Sequence, residues 1–193
     1  MFHPKLLLLI FMLLLGSFAV PPHAEGGLSQ KYTKTVETYA APDVTLVDQT
    51  GSKVRLRELL KAKKVTMMDF IFTTCTTICP VLSAGFSNFQ RKMGADAKDF
   101  QLLSISIDPE NDTPQKLKEY SARYHAKPGW EFLTGSREDI EKVVKAFDAY
   151  TSNKMNHLPL ALLHDPAGGK WIRIYGLIGT SDLIAEFEKV RKQ

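Results

Sequence analysis

Cys75 and Cys79 are the only two thiols in this 193-residue chain, set in Phe72-Thr73-Thr74-Cys75-Thr76-Thr77-Ile78-Cys79-Pro80. A thiolate is the form of cysteine that exchanges disulfides and the form that binds soft metals. A pair with this spacing is therefore either a redox couple or part of a soft-metal site. A helix opening near Pro80 places Cys79 at its N-terminus, where unpaired N–H groups and the helix dipole favour a thiolate. If both residues are helical, a spacing of four still brings the sulfurs to one face. A disulfide between them is also feasible. A purely static one would brace little, because so small a loop constrains little of the unfolded chain. A chain of this length buries its own core without a disulfide framework, so the pair reads as chemical rather than structural.

Two thiolates make an incomplete metal site, and few further ligands are available. His3 and His23 lie at the two ends of an apolar leader, leaving His125, His157 and His164 with Met67, Met68, Met93 and Met155. Met67 and Met68 fall in an apolar strand and are expected as core. His125 ends a helix, where a cation suits the dipole. His164 stands by a hairpin turn and is expected to be solvated. His157 immediately precedes Leu158-Pro159 and a strand, and its place depends on the fold.

The elements that position these groups follow from hydrophobic pattern and turn chemistry. Residues 43–48 and 53–56, around Gln49-Thr50-Gly51, read as a hairpin, and residues 57–63 as a short helix. Residues 65–72 (VTMMDFIF) read as a strand buried on both faces. Residues 80–93 fit a helix, with Pro80 suited to its first turn. A second core strand at 102–107 leads into the turn Asp108-Pro109-Glu110-Asn111-Asp112-Thr113-Pro114, where Asp112 or Thr113 caps a helix to about 125. A strand at 129–133 is followed by a helix over 136–147, opened by a capping-box pattern with Asp139 in place of Glu. Strands at 158–164 and 170–175 flank the hairpin signal Asp165-Pro166-Ala167-Gly168-Gly169, and Ser181 is expected to cap a last helix to 191. Strand–helix alternation requires parallel pairs with right-handed crossovers, and the final hairpin is antiparallel. An α/β mixed central sheet flanked by helices, with an N-terminal hairpin extension and a Cys pair at the end of the first core strand, is the thioredoxin-like arrangement. In that fold the segment before the penultimate strand faces the Cys loop, often with a proline. Pro159 fills that place and puts His157 within reach of both sulfurs.

Composition is ordinary for a globular chain, at 44% hydrophobic and 24% charged residues. Residues 1–24 read as a secretory signal: Lys5, an apolar core over 6–15, then small residues. The run is short for a spanning helix, so a cleaved signal is favoured over an uncleaved anchor. The chain is thus expected to be exported, periplasmic or membrane-anchored facing the periplasm. Residues 25–40 are polar and read as a flexible arm, and 41–193 as the domain. Removing the leader leaves 24 basic and 21 acidic residues, net +3. The densest basic run, Arg55 to Lys64, reads as a solvated helix face, and no aromatic interleaving supports nucleic-acid binding.

The constellation resembles the Sco/SenC family, whose members help assemble the copper centre of cytochrome c oxidase. The residues that carry the likeness are Cys75, Cys79 and Pro80, the turn from Ser106 to Pro114, and His157, nine residues before Pro166. The resemblance runs from about Ala41 to the C-terminus. It implies copper, as Cu(I) or Cu(II), held by Cys75, Cys79 and His157. Its partners would be the oxidase subunit bearing the copper centre and a thioredoxin-like reductant or another copper chaperone. Asp108 is a candidate support for the site, with turn formation as its plain alternative. The chain departs from the family pattern in carrying Thr76, Thr77 and Ile78 between the cysteines and Asn156 before the histidine, where acidic residues are common. Less negative charge near a cation implies weaker copper binding and more prominent thiol chemistry.

Three functions compete. A copper metallochaperone, not a turnover enzyme, needs all three ligands. A thiol–disulfide oxidoreductase needs Cys75 and Cys79 as a redox pair but not His157, although such enzymes usually carry Cys-x-x-Cys. A peroxidase would make one thiolate peroxidatic and the other resolving.

Overall fold

The structure, a computed structural model, describes residues 32–94, 99–167 and 169–192. The leader expected over 1–24 and the first part of the arm lie outside the described residues.

The elements are β1 (Tyr32–Glu37), β2 (Thr45–Asp48), β3 (Lys53–Arg55), α1 (Leu56–Leu60), β4 (Val65–Ile71), α2 (Ile78–Met93) and β5 (Phe100–Ser106). They continue with α3 (Pro114–Arg123), β6 (Trp130–Thr134), α4 (Arg137–Ala146), β7 (Leu160–His164), β8 (Trp171–Gly176) and α5 (Thr180–Arg191). The strands form one mixed sheet in the order β1-β8-β7-β4-β5-β6-β2-β3. β4, β5 and β6 run parallel, while β7 pairs antiparallel with β4, β8 with β7, and β2 with β6.

Every residue of β4 and of β5 is buried, as mostly apolar strands covered on both faces of a sheet require. Alternation sends Met67 and Ile71 to one face, with α2, α3 and α5, and Met68 and Phe70 to the other, with α1 and α4. Fully burying one such side chain stabilises the fold by about 2 kcal/mol. The helix starts are chemically specified. Thr113 Oγ1 accepts from the Lys116 N–H at 3.3 Å, and Ser136 Oγ from the Asp139 N–H at 3.1 Å. At α5 the cap is Gly179, and Ser181 lies inside the helix rather than before it.

Part of the expected flexible arm is ordered. Tyr32–Glu37 pairs antiparallel with β8 along its whole length and forms an edge of the sheet. Tyr32 is buried, but residues 33–36 are exposed, so the strand carries no apolar alternation to read. Its backbone ladder and the Lys34–Glu186 ion pair, 2.8 Å, hold it instead.

Candidate metal centre

The first ligand loop begins where β4 ends. The Cys75 N–H donates to the Phe72 carbonyl at 3.0 Å, turning the chain back toward the sheet. α2 opens at Ile78, so Cys79 is its second residue and Cys75 lies in the loop before it. Thr77, at the cap position, makes no side-chain bond to the helix. Its hydroxyl lies 3.6 Å from Cys75 Sγ instead.

The other ligand comes from the segment before β7. Asn153 Oδ1 accepts from the Met155 N–H and opens a 3-10 turn at Lys154–Asn156. The His157 N–H donates to the Lys154 carbonyl at 3.2 Å and closes it. This presents Nε2 at 3.3 Å from Cys79 Sγ and 3.7 Å from Cys75 Sγ. One donor atom from each residue lies within 4.8 Å of the others. Bond lengths of about 2.3 Å to sulfur and 2.0 Å to nitrogen, as for zinc, give S···N separations of about 3.5–3.7 Å around one ion. The Cys75 distance of 3.7 Å falls within that span and the Cys79 distance of 3.3 Å lies slightly short of it, so seating an ion needs only a small outward shift.

The group is dry: Cys75 is 6% exposed, Cys79 0% and His157 8%. The Phe72 ring packs edge-on against the imidazole at a centroid distance of 5.2 Å. His157 Nδ1 has no hydrogen-bond partner among the described residues. The two thiols, both free, differ sharply. Burial pushes Cys75 up, but hydrogen bonds from His157, from the backbone of Cys79 and Thr77, and from the Thr77 hydroxyl outweigh it and bring it down to about 6. Burial pushes Cys79 well above the ordinary thiol range, and neighbouring Cys75 and Asp69 add to the rise. One sulfur is thus prepared as a thiolate and its partner is held as a thiol until something takes its proton.

Asp108 does not touch the sulfur–imidazole group. Its carboxylate accepts from Asn111 Nδ2 at 2.9 and 3.1 Å and pairs with Lys154. Lys154 Nζ in turn sits 5.4 Å from the centre of the Phe72 ring. Asp108 therefore steadies the turn that delivers His157. Asp112, which sequence reasoning offers only as a helix cap, holds the opposite loop. Fully buried, it accepts from the Thr73 N–H (3.1 Å), Thr73 Oγ1 (2.6 Å) and Ser106 Oγ (2.6 Å). The segment after β5 thus grips the cysteine loop through Asp112 and the histidine turn through Asp108. The available signal was two acids four residues apart at the end of a core strand.

Neither His125 nor His164 joins the ligand group. Met67 and Met68 are core, at 0% exposure. His125 closes α3 with a positive φ of 54°. His164, expected to be solvated, is half-buried with its ring 4.5 Å from that of Trp171. Burial lowers its pKa, and Asp165 works in the opposite direction.

A parallel-centred sheet with helices on both faces, and a Cys pair where the first core strand meets a helix, defines a thioredoxin-like protein. The SCO1/SenC family model matches residues 33–189, and the chain belongs to that family. A SCO1 protein homolog of Bacillus subtilis is 42% identical over 114 residues, a segment covering 58% of each chain. Among solved structures, BsSco is described as a member of the Sco family of cytochrome c oxidase assembly proteins with a disulfide switch. It is 32% identical with a TM-score of 0.67, over 83% of this chain and 98% of that one. Bradyrhizobium japonicum ScoI with copper bound is 29% identical with a TM-score of 0.65, over 78% of this chain and 98% of that one.

Proposed function

We propose that the chain is a copper carrier, exported by its leader, that supplies one copper ion to the copper-bearing subunit of cytochrome c oxidase. The observation that carries this reading is the buried group of two sulfurs and one imidazole with its donor atoms within 4.8 Å. Two thiolates suit Cu(I), and the imidazole lets the same site accept Cu(II). The copper-bound relative from Bradyrhizobium japonicum supports the choice of metal.

Copper is cargo here. Cys75, already largely a thiolate near neutral pH, is the ligand that first engages the ion or an incoming donor protein. His157 closes the set from the opposite segment, and release by ligand exchange requires only that its turn move away. A second reading, thiol–disulfide exchange, is favoured by one observation: a depressed Cys75 beside a raised Cys79 is the asymmetry of an attacking and a resolving thiol. Both uses need the pair reduced, and the acceptor's own cysteines could be served by either. A thioredoxin-like reductant would restore the pair, and another copper chaperone could load it.

The two readings separate in one experiment. Copper-loaded protein is mixed with the reduced soluble domain of the oxidase subunit, and the metal is followed by size separation and absorption. The carrier reading predicts near-stoichiometric transfer. Copper that stays on the chain, together with reduction of the oxidised domain's disulfide by the copper-free reduced chain in a parallel mixture, contradicts delivery and supports exchange.

A further inference from the structure

Besides its neighbour Cys79, the Cys75 sulfur meets two polar side chains among the described residues: His157 Nε2 at 3.7 Å and Thr77 Oγ1 at 3.6 Å. The second is no ligand, and its place needs a cause. A threonine at a helix cap ordinarily accepts from the N–H two or three residues on. Thr113 and Ser136 do this at α3 and α4, each from extended backbone. At α2 neither partner is open to Thr77. The residue three on is Pro80, which has no N–H. The residue two on is Cys79, whose N–H is directed at the Cys75 sulfur. The Thr77 backbone stands at φ −112° and ψ −86°, away from an ordinary cap, and its side chain makes no bond to the helix. The hydroxyl is given to the sulfur instead.

Loading the centre makes that contact more important. An imidazole that coordinates through Nε2 has no proton there to offer a sulfur. A second thiolate has none either. The Thr77 hydroxyl is then the side-chain donor left to Cys75 among the described residues. Because a metal-bound sulfur carries no proton, the direction is fixed: the hydroxyl donates and the sulfur accepts. Cys75 is 6% exposed, so water replaces this bond poorly. Hydrogen bonds to a copper-bound sulfur tune the metal's potential. The sulfur keeps its electrons over Cu(I) and gives part of them to Cu(II). A donor to the sulfur therefore favours the Cu(I) state. It also raises the energy of the transition that moves charge from sulfur to Cu(II).

We propose that Thr77 sets the oxidation-state preference of copper held by Cys75, Cys79 and His157, through a hydrogen bond from its hydroxyl to the Cys75 sulfur. The inference rests on the proposed copper function and extends it to the state of the ion that the site favours. Thr77 acts through Cys75 and is a positioning residue. A neutral donor supports the electron-rich sulfur without adding charge to a loop that has no acid between its cysteines. Thr76 beside it is exposed and has no bond to either sulfur among the described residues, which makes it a matched control.

The test uses the reduced chain and its Thr77→Val, Thr77→Ser and Thr76→Val variants. Each is loaded with one equivalent of Cu(II) for its absorption spectrum, then competed against chelators of known affinity for Cu(I) and for Cu(II). Thr77→Val keeps the shape and drops the hydroxyl. Its thiolate-to-Cu(II) band should move to longer wavelength, and its ratio of Cu(II) to Cu(I) affinity should rise about fivefold, the worth of one ordinary hydrogen bond. Thr77→Ser should restore both, and Thr76→Val should leave both at wild-type values. An unmoved band with a ratio within about twofold of wild type in Thr77→Val overturns the proposal. Equal shifts in Thr77→Val and Thr77→Ser do so as well, since they follow packing rather than the hydroxyl. So does an equal loss of affinity for both states, the mark of a merely structural part. A wild type that takes up no copper instead defeats the carrier function beneath the proposal, and the proposal with it.

Discussion

Asp69→Asn in the reduced protein is expected to stabilise the fold progressively, relative to wild type, as pH rises from about 4 to 8. Unfolded, the Asp69 carboxyl ionises at its ordinary value. Folded, burial holds it protonated up to about 7. Between these values the unfolded chain releases a proton that the folded chain keeps, so ionisation of Asp69 draws the equilibrium toward unfolding. This cost is absent below the unfolded value, grows through the window and is constant above the folded one. The interval between 3.8 and about 7 corresponds to about 4 kcal/mol. An asparagine amide also lies buried without partners, so the absolute gain at pH 8 is smaller, about 1–3 kcal/mol. The pH-dependent part survives that correction because the amide does not titrate. Urea unfolding of both proteins at several pH values measures it. Parallel stability curves would mean that the folded carboxyl titrates at its ordinary value.

Asp112→Ala is expected to act in the opposite direction, lowering stability by about 3 kcal/mol and loosening the metal centre with it. Asp112 is fully buried and accepts three hydrogen bonds, two of them from Thr73, two residues before Cys75. Its removal takes away the acceptor of the half-buried Thr73 N–H and hydroxyl and of the buried Ser106 hydroxyl. The cysteine loop loses the contact that ties it to the end of β5. Asp112→Asn keeps one acceptor and should fall between the two. Denaturant midpoints give the first effect, and metal affinity of the refolded variant gives the second. A loss below about 0.5 kcal/mol with unchanged affinity would show that the loop is held by other means.

The core strands, the helices and the cysteine–histidine set were legible because each leaves a local mark. Residues 65–72 and 102–107 are mostly apolar runs, Thr113 and Ser136 are caps, and Cys-x-x-x-Cys-Pro sits between a strand and a helix. His157 could be placed only through the fold, since nothing beside it says what it faces. What escaped reading lacks periodicity or acts at a distance. β1 is an edge strand exposed over four residues, and it is held by backbone pairing that no side-chain pattern records. Asp112 looks like a helix cap in sequence, while its partners are Ser106 and, 39 residues away, Thr73. Asp69 stands as an acid inside a mostly apolar strand, but that its carboxyl is fully buried without a hydrogen-bond partner among the described residues shows only in the fold.

Copper titration of the reduced protein without residues 1–24, beside its His157→Ala variant, tests the central claim most directly. The geometry of two sulfurs and one imidazole predicts a one-to-one complex with Cu(II), showing thiolate-to-copper charge transfer, and its loss in the variant. Negligible copper binding by the wild type, or an equally tight and identically coloured complex in the variant, would contradict a centre built from Cys75, Cys79 and His157.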